Sequence, residues 1–208
     1  MDLIHITTKD YLALNEYYEQ LLQYLASYNQ TILGRTADVF YSFQLYCELL
    51  NSGKFSFNNS FVFDTTSNYF VFPNMKDGIQ VMAGFGCCRH VNSFLFDFLK
   101  RCNYNSCYEQ LMHLSDDSIS FQKDKGFNHI AVLYQDLQNH YILDAFNQWI
   151  LKMNEDNSLT EIPFSINQDD FILRDYNDSG LSENIGKILQ KYNYLRKLGI
   201  HYFYDDAF

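Results

Sequence analysis

Gly84-Phe85-Gly86-Cys87-Cys88-Arg89 stands directly before a run in which Val91, Phe94, Leu95, Phe98 and Leu99 recur at helical spacing. Two cysteines therefore fall at a helix start. Such a start presents backbone N–H groups without intrahelical partners and a partial positive charge, both of which favour the nucleophilic thiolate over the thiol. Downstream, residues 127–134 carry His129 and residues 140–146 carry Asp144, each on a short segment rich in strand formers. A thiol, a base and a group able to orient the base thus follow one another along the chain. Each also has a structural reading: a free cysteine as a small buried hydrophobe, a strand histidine satisfied by a carbonyl, an aspartate capping a turn.

The spacing predicts a hairpin between those segments. With an even loop centred on Leu137 and Gln138, Ala131 faces Asp144, and His129 is the diagonal neighbour of Asp144 on the same face, at about 5.5–8 Å. An odd loop would turn Asp144 to the opposite face, so the pairing of histidine with aspartate depends on loop parity. The thiol assignment is Cys88, with Cys87 as the rival, because a shift of one residue at a helix start changes which sulfur points outward. The Cys88 backbone N–H is expected to help hold an oxyanion, and Gln80 is a weaker second donor.

A chain of 208 residues with 47% hydrophobic and 18% aromatic residues reads as one domain, 1–208, with an N-terminal helical part over 1–53 and a core over 54–208. A net charge of −10 without any Lys/Arg stripe argues against nucleic acid and favours basic or neutral partners. No apolar run is long enough to span a bilayer, and Met1-Asp2-Leu3-Ile4-His5 lacks the basic and apolar regions of a leader, so a cytoplasmic protein with five reduced thiols is expected. On that reading the glycosylation-type matches at Asn29, Asn58 and Asn177 carry no meaning. Cys102, Cys107, His90 and His113 lack zinc-ligand spacing, and no metal is expected.

Helices are predicted from Lys9 to about Tyr28, with Leu12, Leu14, Leu21, Leu22 and Leu25 inward and Thr7 or Thr8 as cap, and from Ala37 to Leu50, with Thr36 at its start. Short strands are expected within Phe55–Phe72, a further strand at Phe171–Leu173, and a last helix over Leu181–Leu198. Arg89 and His90 read as a solvated helix face. The order is an α+β plan.

The run Gly86-Cys87-Cys88-Arg89, the helix after it, the later strand histidine and the strand end Tyr141-Ile142-Leu143-Asp144 together resemble the transglutaminase-like superfamily of cysteine enzymes. That resemblance implies a papain-related core, with the cysteine helix packed on an antiparallel sheet and a Cys88-His129-Asp144 triad. It implies attack on an amide or peptide bond of a peptide, protein or small amide, as a peptidase, amidase, transglutaminase or deamidase, without metal or organic cofactor. Many members have His-Ala-Trp where this chain has His129-Ile130-Ala131. Cys88 followed by Asn92 also resembles the arylamine N-acetyltransferases, which would imply an acyl-CoA donor. A third reading keeps the same fold as an inert binding module.

Overall fold

The computed structural model describes residues 7–33, 38–52, 62–63, 76–82, 85–115, 118–121, 126–156, 158–164, 187, 188 and 190. Helix α1 spans Thr8–Leu33, five residues beyond the predicted end. The Thr7 hydroxyl accepts from Asp10 N at 3.2 Å while Thr7 N donates to Asp10 Oδ2 at 3.0 Å, a capping box that fixes the helix start. Leu14, Leu21, Leu22 and Leu25 are buried as expected, but Leu12 is exposed and Tyr11, Tyr17 and Tyr18 take inward places. Helix α2 covers Val39–Ser52. Its cap is Asp38, whose Oδ1 accepts from Tyr41 N at 2.9 Å; Thr36 lies outside the described residues.

Strand β1, Val62–Phe63, pairs in parallel with β2, Phe85–Gly86. The rest of Phe55–Phe72, and Phe171–Leu173, lie outside the described residues. Residues 187, 188 and 190, from the last predicted helix, are helical, and Ile188 joins the core. A single-turn helix α3, Ile79–Met82, leads into helix α4, Cys88–Arg101. All five apolar positions of the predicted stripe, Val91, Phe94, Leu95, Phe98 and Leu99, are fully buried.

The sheet has six antiparallel strands in the order β4-β3-β5-β6-β7-β8 among the described residues. These are β3 (Cys107–Ser115), β4 (Ser118–Ser120), β5 (His129–Asp136), β6 (Asn139–Asp144), β7 (Trp149–Met153) and β8 (Leu159–Glu161). The chain is α+β. On one face, Val132, Leu143 and Ile150 pack with the helices; on the other, Met112, Ala131, Ile142 and Leu151 form a smaller cluster. Central strands apolar on both faces explain why β5 and β6 read as nearly continuous hydrophobic runs. Among the described residues no helix is long and apolar enough to cross a membrane.

The β5–β6 register has Val132 opposite Leu143 and Asp136 opposite Asn139, leaving the two-residue turn Leu137-Gln138. This is the expected even parity. Leu137 holds φ 44° in that turn while its side chain is fully exposed. A leucine in the left-handed region costs about 1–2 kcal/mol, and asparagine tolerates that region better. Leu137→Asn is therefore expected to raise stability by about 0.5 kcal/mol, read as a higher urea midpoint; a lower midpoint would refute this turn geometry.

Candidate active site

Direct β5–β6 pairing ends at Val132 and Leu143, one residue short of Ala131 and Asp144. Beyond that point a side chain replaces the ladder. Asn92, on the second turn of α4, donates from Nδ2 to Ile130 O at 2.8 Å and accepts at Oδ1 from Ala145 N at 2.9 Å. Its amide thus stands where Ile130 and Ala145 would otherwise bond each other across the two strands. The Ile130 N–H turns to the Cys88 sulfur. The thiol and the Asn92 amide together fill the split between the two strand ends.

The same amide continues to the aspartate, Nδ2 reaching Asp144 Oδ1 at 2.9 Å. Asp144 is buried, and its acceptor-only carboxylate is met by four further donors. Phe146 N and Asn147 N donate to Oδ1 at 3.1 and 3.3 Å, closing a turn after β6. Asn147 Nδ2 donates to Oδ2 at 2.8 Å, and His129 Nε2 bonds the same oxygen at 2.7 Å. The histidine and aspartate that the hairpin register placed on one face are therefore joined directly. Phe146 packs 6.1 Å from the His129 ring, centre to centre.

Cys87 is the N-cap of α4, in extended conformation, and Cys88 is its first helical residue. Both sulfurs sit at the helix start, yet their surroundings differ. Cys88 lines a cavity of about 330 Å³ together with Arg89, Leu111, Phe127, Asn128, His129 and Ile130. Cys87 is only 2% exposed and faces His90, with Sγ 3.3 Å from Nδ1. Its backbone N–H also donates to that nitrogen at 3.1 Å, the reciprocal half of a capping box with histidine in the place of Glu or Gln.

His90 is fully buried, which corrects its assignment to a solvated face. Capping draws the ring inward over Gly86, where a Cβ would come within 2.9 Å of the His90 Cβ, so only glycine admits this approach. Two neighbouring nitrogens meet the outer ring nitrogen, Gln80 Nε2 at 2.6 Å and Arg89 Nη2 at 3.1 Å. Gln80, expected as an oxyanion donor beside Cys88, is thus placed against His90, on the Cys87 side. Arg89 is half-buried and paired through Nε with Asp77 Oδ2 at 3.1 Å. The signal for His90 was available: a polar side chain three residues after a helix cap.

Hydrogen-bonded to each other, the two thiols share a proton. The bond from Cys88, the adjacent His90 and the Arg89 backbone N–H hold Cys87 well below the ordinary thiol range. Donating that bond, together with burial, pushes the Cys88 thiol up. Burial is the main cause that raises Cys102 and Cys107, each to about 12, and Cys47 as well, so Cys87 at the helix start differs from these three in having its thiol held down. Among the described residues no group of three or more His, Cys, Asp or Glu side chains is arranged to hold a metal ion. Neither protein-family models, curated proteins nor solved structures match the chain.

Two outcomes test this geometry. Asn92→Ala leaves Ile130 C=O and Ala145 N–H without the amide, and should cost about 2–4 kcal/mol in urea unfolding; a loss under about 1 kcal/mol would show that the strands reclose without it. Cys87→Ser replaces an anionic neighbour by a neutral hydroxyl, so the Cys88 pKa should fall and its alkylation at pH 7 should quicken by about tenfold or more. Loss of alkylation would make Cys87 the reacting thiol.

Proposed function

We propose that the protein is a cysteine-dependent acyl-transfer enzyme or hydrolase that cleaves an amide or peptide bond through a thioester on Cys88. The carrying observation is the 2.7 Å His129–Asp144 bond beside the cavity that Cys88 also lines. Support also comes from the position of the thiol at a helix N-terminus against the end of an antiparallel sheet, the arrangement implied by the resemblance to transglutaminase-like, papain-related enzymes.

In this mechanism the Cys88 thiol gives up its hydrogen bond to Cys87, its proton leaves for His129 Nδ1, and the sulfur forms a bond to the substrate carbonyl carbon. Asp144 accepts from Nε2–H, fixing the tautomer and steadying the imidazolium. The new oxyanion takes the Cys88 backbone N–H, one of the four donors that a helix start leaves without intrahelical partners. As the tetrahedral adduct collapses, the C–N bond breaks and His129 returns its proton to the departing amine. Water then attacks the thioester in hydrolysis, or a second amine does so in transamidation, and the thiol is regenerated. Every group used is a side chain or backbone amide of this chain, and the substrate class is a peptide, a protein or a small amide.

A second reading makes Cys87 the nucleophile, with His90 as its base and Gln80 behind it, and is favoured by the 3.3 Å Cys87–His90 approach. Both cysteines are buried, Cys87 at 2% and Cys88 at 9% exposure, and it is Cys88 that lines the cavity, which favours Cys88, since the attacking sulfur must reach substrate.

Iodoacetamide labelling from pH 5 to 9 with peptide mass mapping separates these readings. Although its thiol is pushed up, Cys88 is expected to label ahead of the other four cysteines because it lines the cavity that the reagent enters, and His129→Ala is expected to slow it and to lower any amide turnover by about a hundredfold or more. Labelling led by Cys87 and slowed by His90→Ala would establish the second reading. Equal, slow labelling of all five in both proteins would leave an inert binding module.

A further inference from the structure

Most exposed large apolar side chains on a folded chain stand alone, but Leu111 at 49% and Phe127 at 40% exposure converge on one cavity, the one beside Cys88. Ile130 completes the apolar wall. Leu111 comes from β3 and Ile130 from β5, directly opposite each other in the ladder, so a rigid pair of strands sets this wall. Phe127 precedes β5 and lines the same cavity as His129.

The polar members of the same wall are committed to the protein. Asn128 Oδ1 accepts from Leu114 N at 2.7 Å and its Nδ2 donates to Leu114 O at 2.8 Å, so the amide mimics a strand on both edges. Arg89 faces Asp77 through Nε and His90 through Nη2, which offsets its charge within the wall. What the cavity offers a ligand is apolar surface on one side and the Cys88–His129 reaction centre on the other. Its volume of about 330 Å³ lies at the small end of ligand clefts and leaves room for a benzyl or isobutyl side chain.

We infer that the acyl donor carries an uncharged apolar side chain next to the reacting carbonyl, held between Leu111, Phe127 and Ile130. This rests on the acyl-transfer reading above and adds to it a substrate class, apolar acyl groups rather than acidic, basic or unsubstituted ones. Burial of an aromatic or branched side chain in such a wall favours the reacting complex, whereas a charged one finds no free counter-group there and loses its water.

The test uses four alkylating probes on the full chain: iodoacetamide, its N-benzyl and N-isobutyl derivatives, and its N-carboxymethyl derivative. Each rate at Cys88 is divided by the rate of the same probe with glutathione. The benzyl and isobutyl probes should exceed iodoacetamide by about tenfold or more, and the carboxymethyl probe should fall below it. In Phe127→Ser and Leu111→Ser the benzyl-to-iodoacetamide ratio, measured within each variant, should drop towards one. A wild-type ratio near one with labelling still dependent on His129 would overturn the apolar assignment and leave the acyl-transfer reading standing. A high ratio without dependence on His129 would leave an apolar cleft but remove the chemistry, and with it the assignment of an acyl substrate.

Discussion

A side-chain amide standing in for a backbone hydrogen bond holds the site together. Asn92 occupies the place where β5 and β6 would otherwise keep pairing, and in doing so it joins α4 to both strands and to the Asp144 carboxylate. Were the strands to pair on to their ends, Ile130 N–H would have a strand carbonyl as partner and Cys88 would have no gap to enter. The split is what lets a helix-borne sulfur approach a strand-borne histidine. Burying a carboxylate is costly unless its lone pairs are met, and five donors from two elements and a turn meet them here. The Asp144 cage is therefore both the clamp on the fold and the reference point from which His129 is aimed.

The helix start carries a second constraint. Capping by His90 pulls an imidazole under the Cys87 backbone, and Gly86 is the small residue that lets it in. The Cys87 sulfur consequently lies against His90, while Cys88 lines the cavity that His129 also lines. Adjacent thiols in such a setting cannot both carry charge, so the ionisation of the pair is a joint property.

Much of this was legible in the residues. The α4 stripe follows from apolar spacing alone, and the pairing of His129 with Asp144 follows from the even turn at Leu137-Gln138, since a period of two leaves no other face for them. What escaped had physical reasons. Strand β3 alternates poorly, with Tyr108 and Leu111 exposed beside buried Cys107 and Met112, because one part of it covers the core and another borders the cavity. Strands β4 and β8 are only three residues long, too short for any period to register. Nothing in the sequence marks Asn92 as an inserted amide, since a polar residue on a buried helix face has many uses. His90 was hidden by its neighbours: beside Arg89 it looks solvated, and only the cap at Cys87 turns it inward.

Among the described residues every donor to Asp144 lies between Asn92 and Asn147, and the strand that steadies β6 from its outer side ends at Met153. Among the described residues, the geometry around Asp144 is thus written in one stretch of chain. During synthesis from the N-terminus, all the parts of this constellation have been made before anything beyond Met153 exists, so the hairpin can close on a waiting α4 as a local event. The cavity beside Cys88 can then begin to take shape in a nascent chain before it is finished.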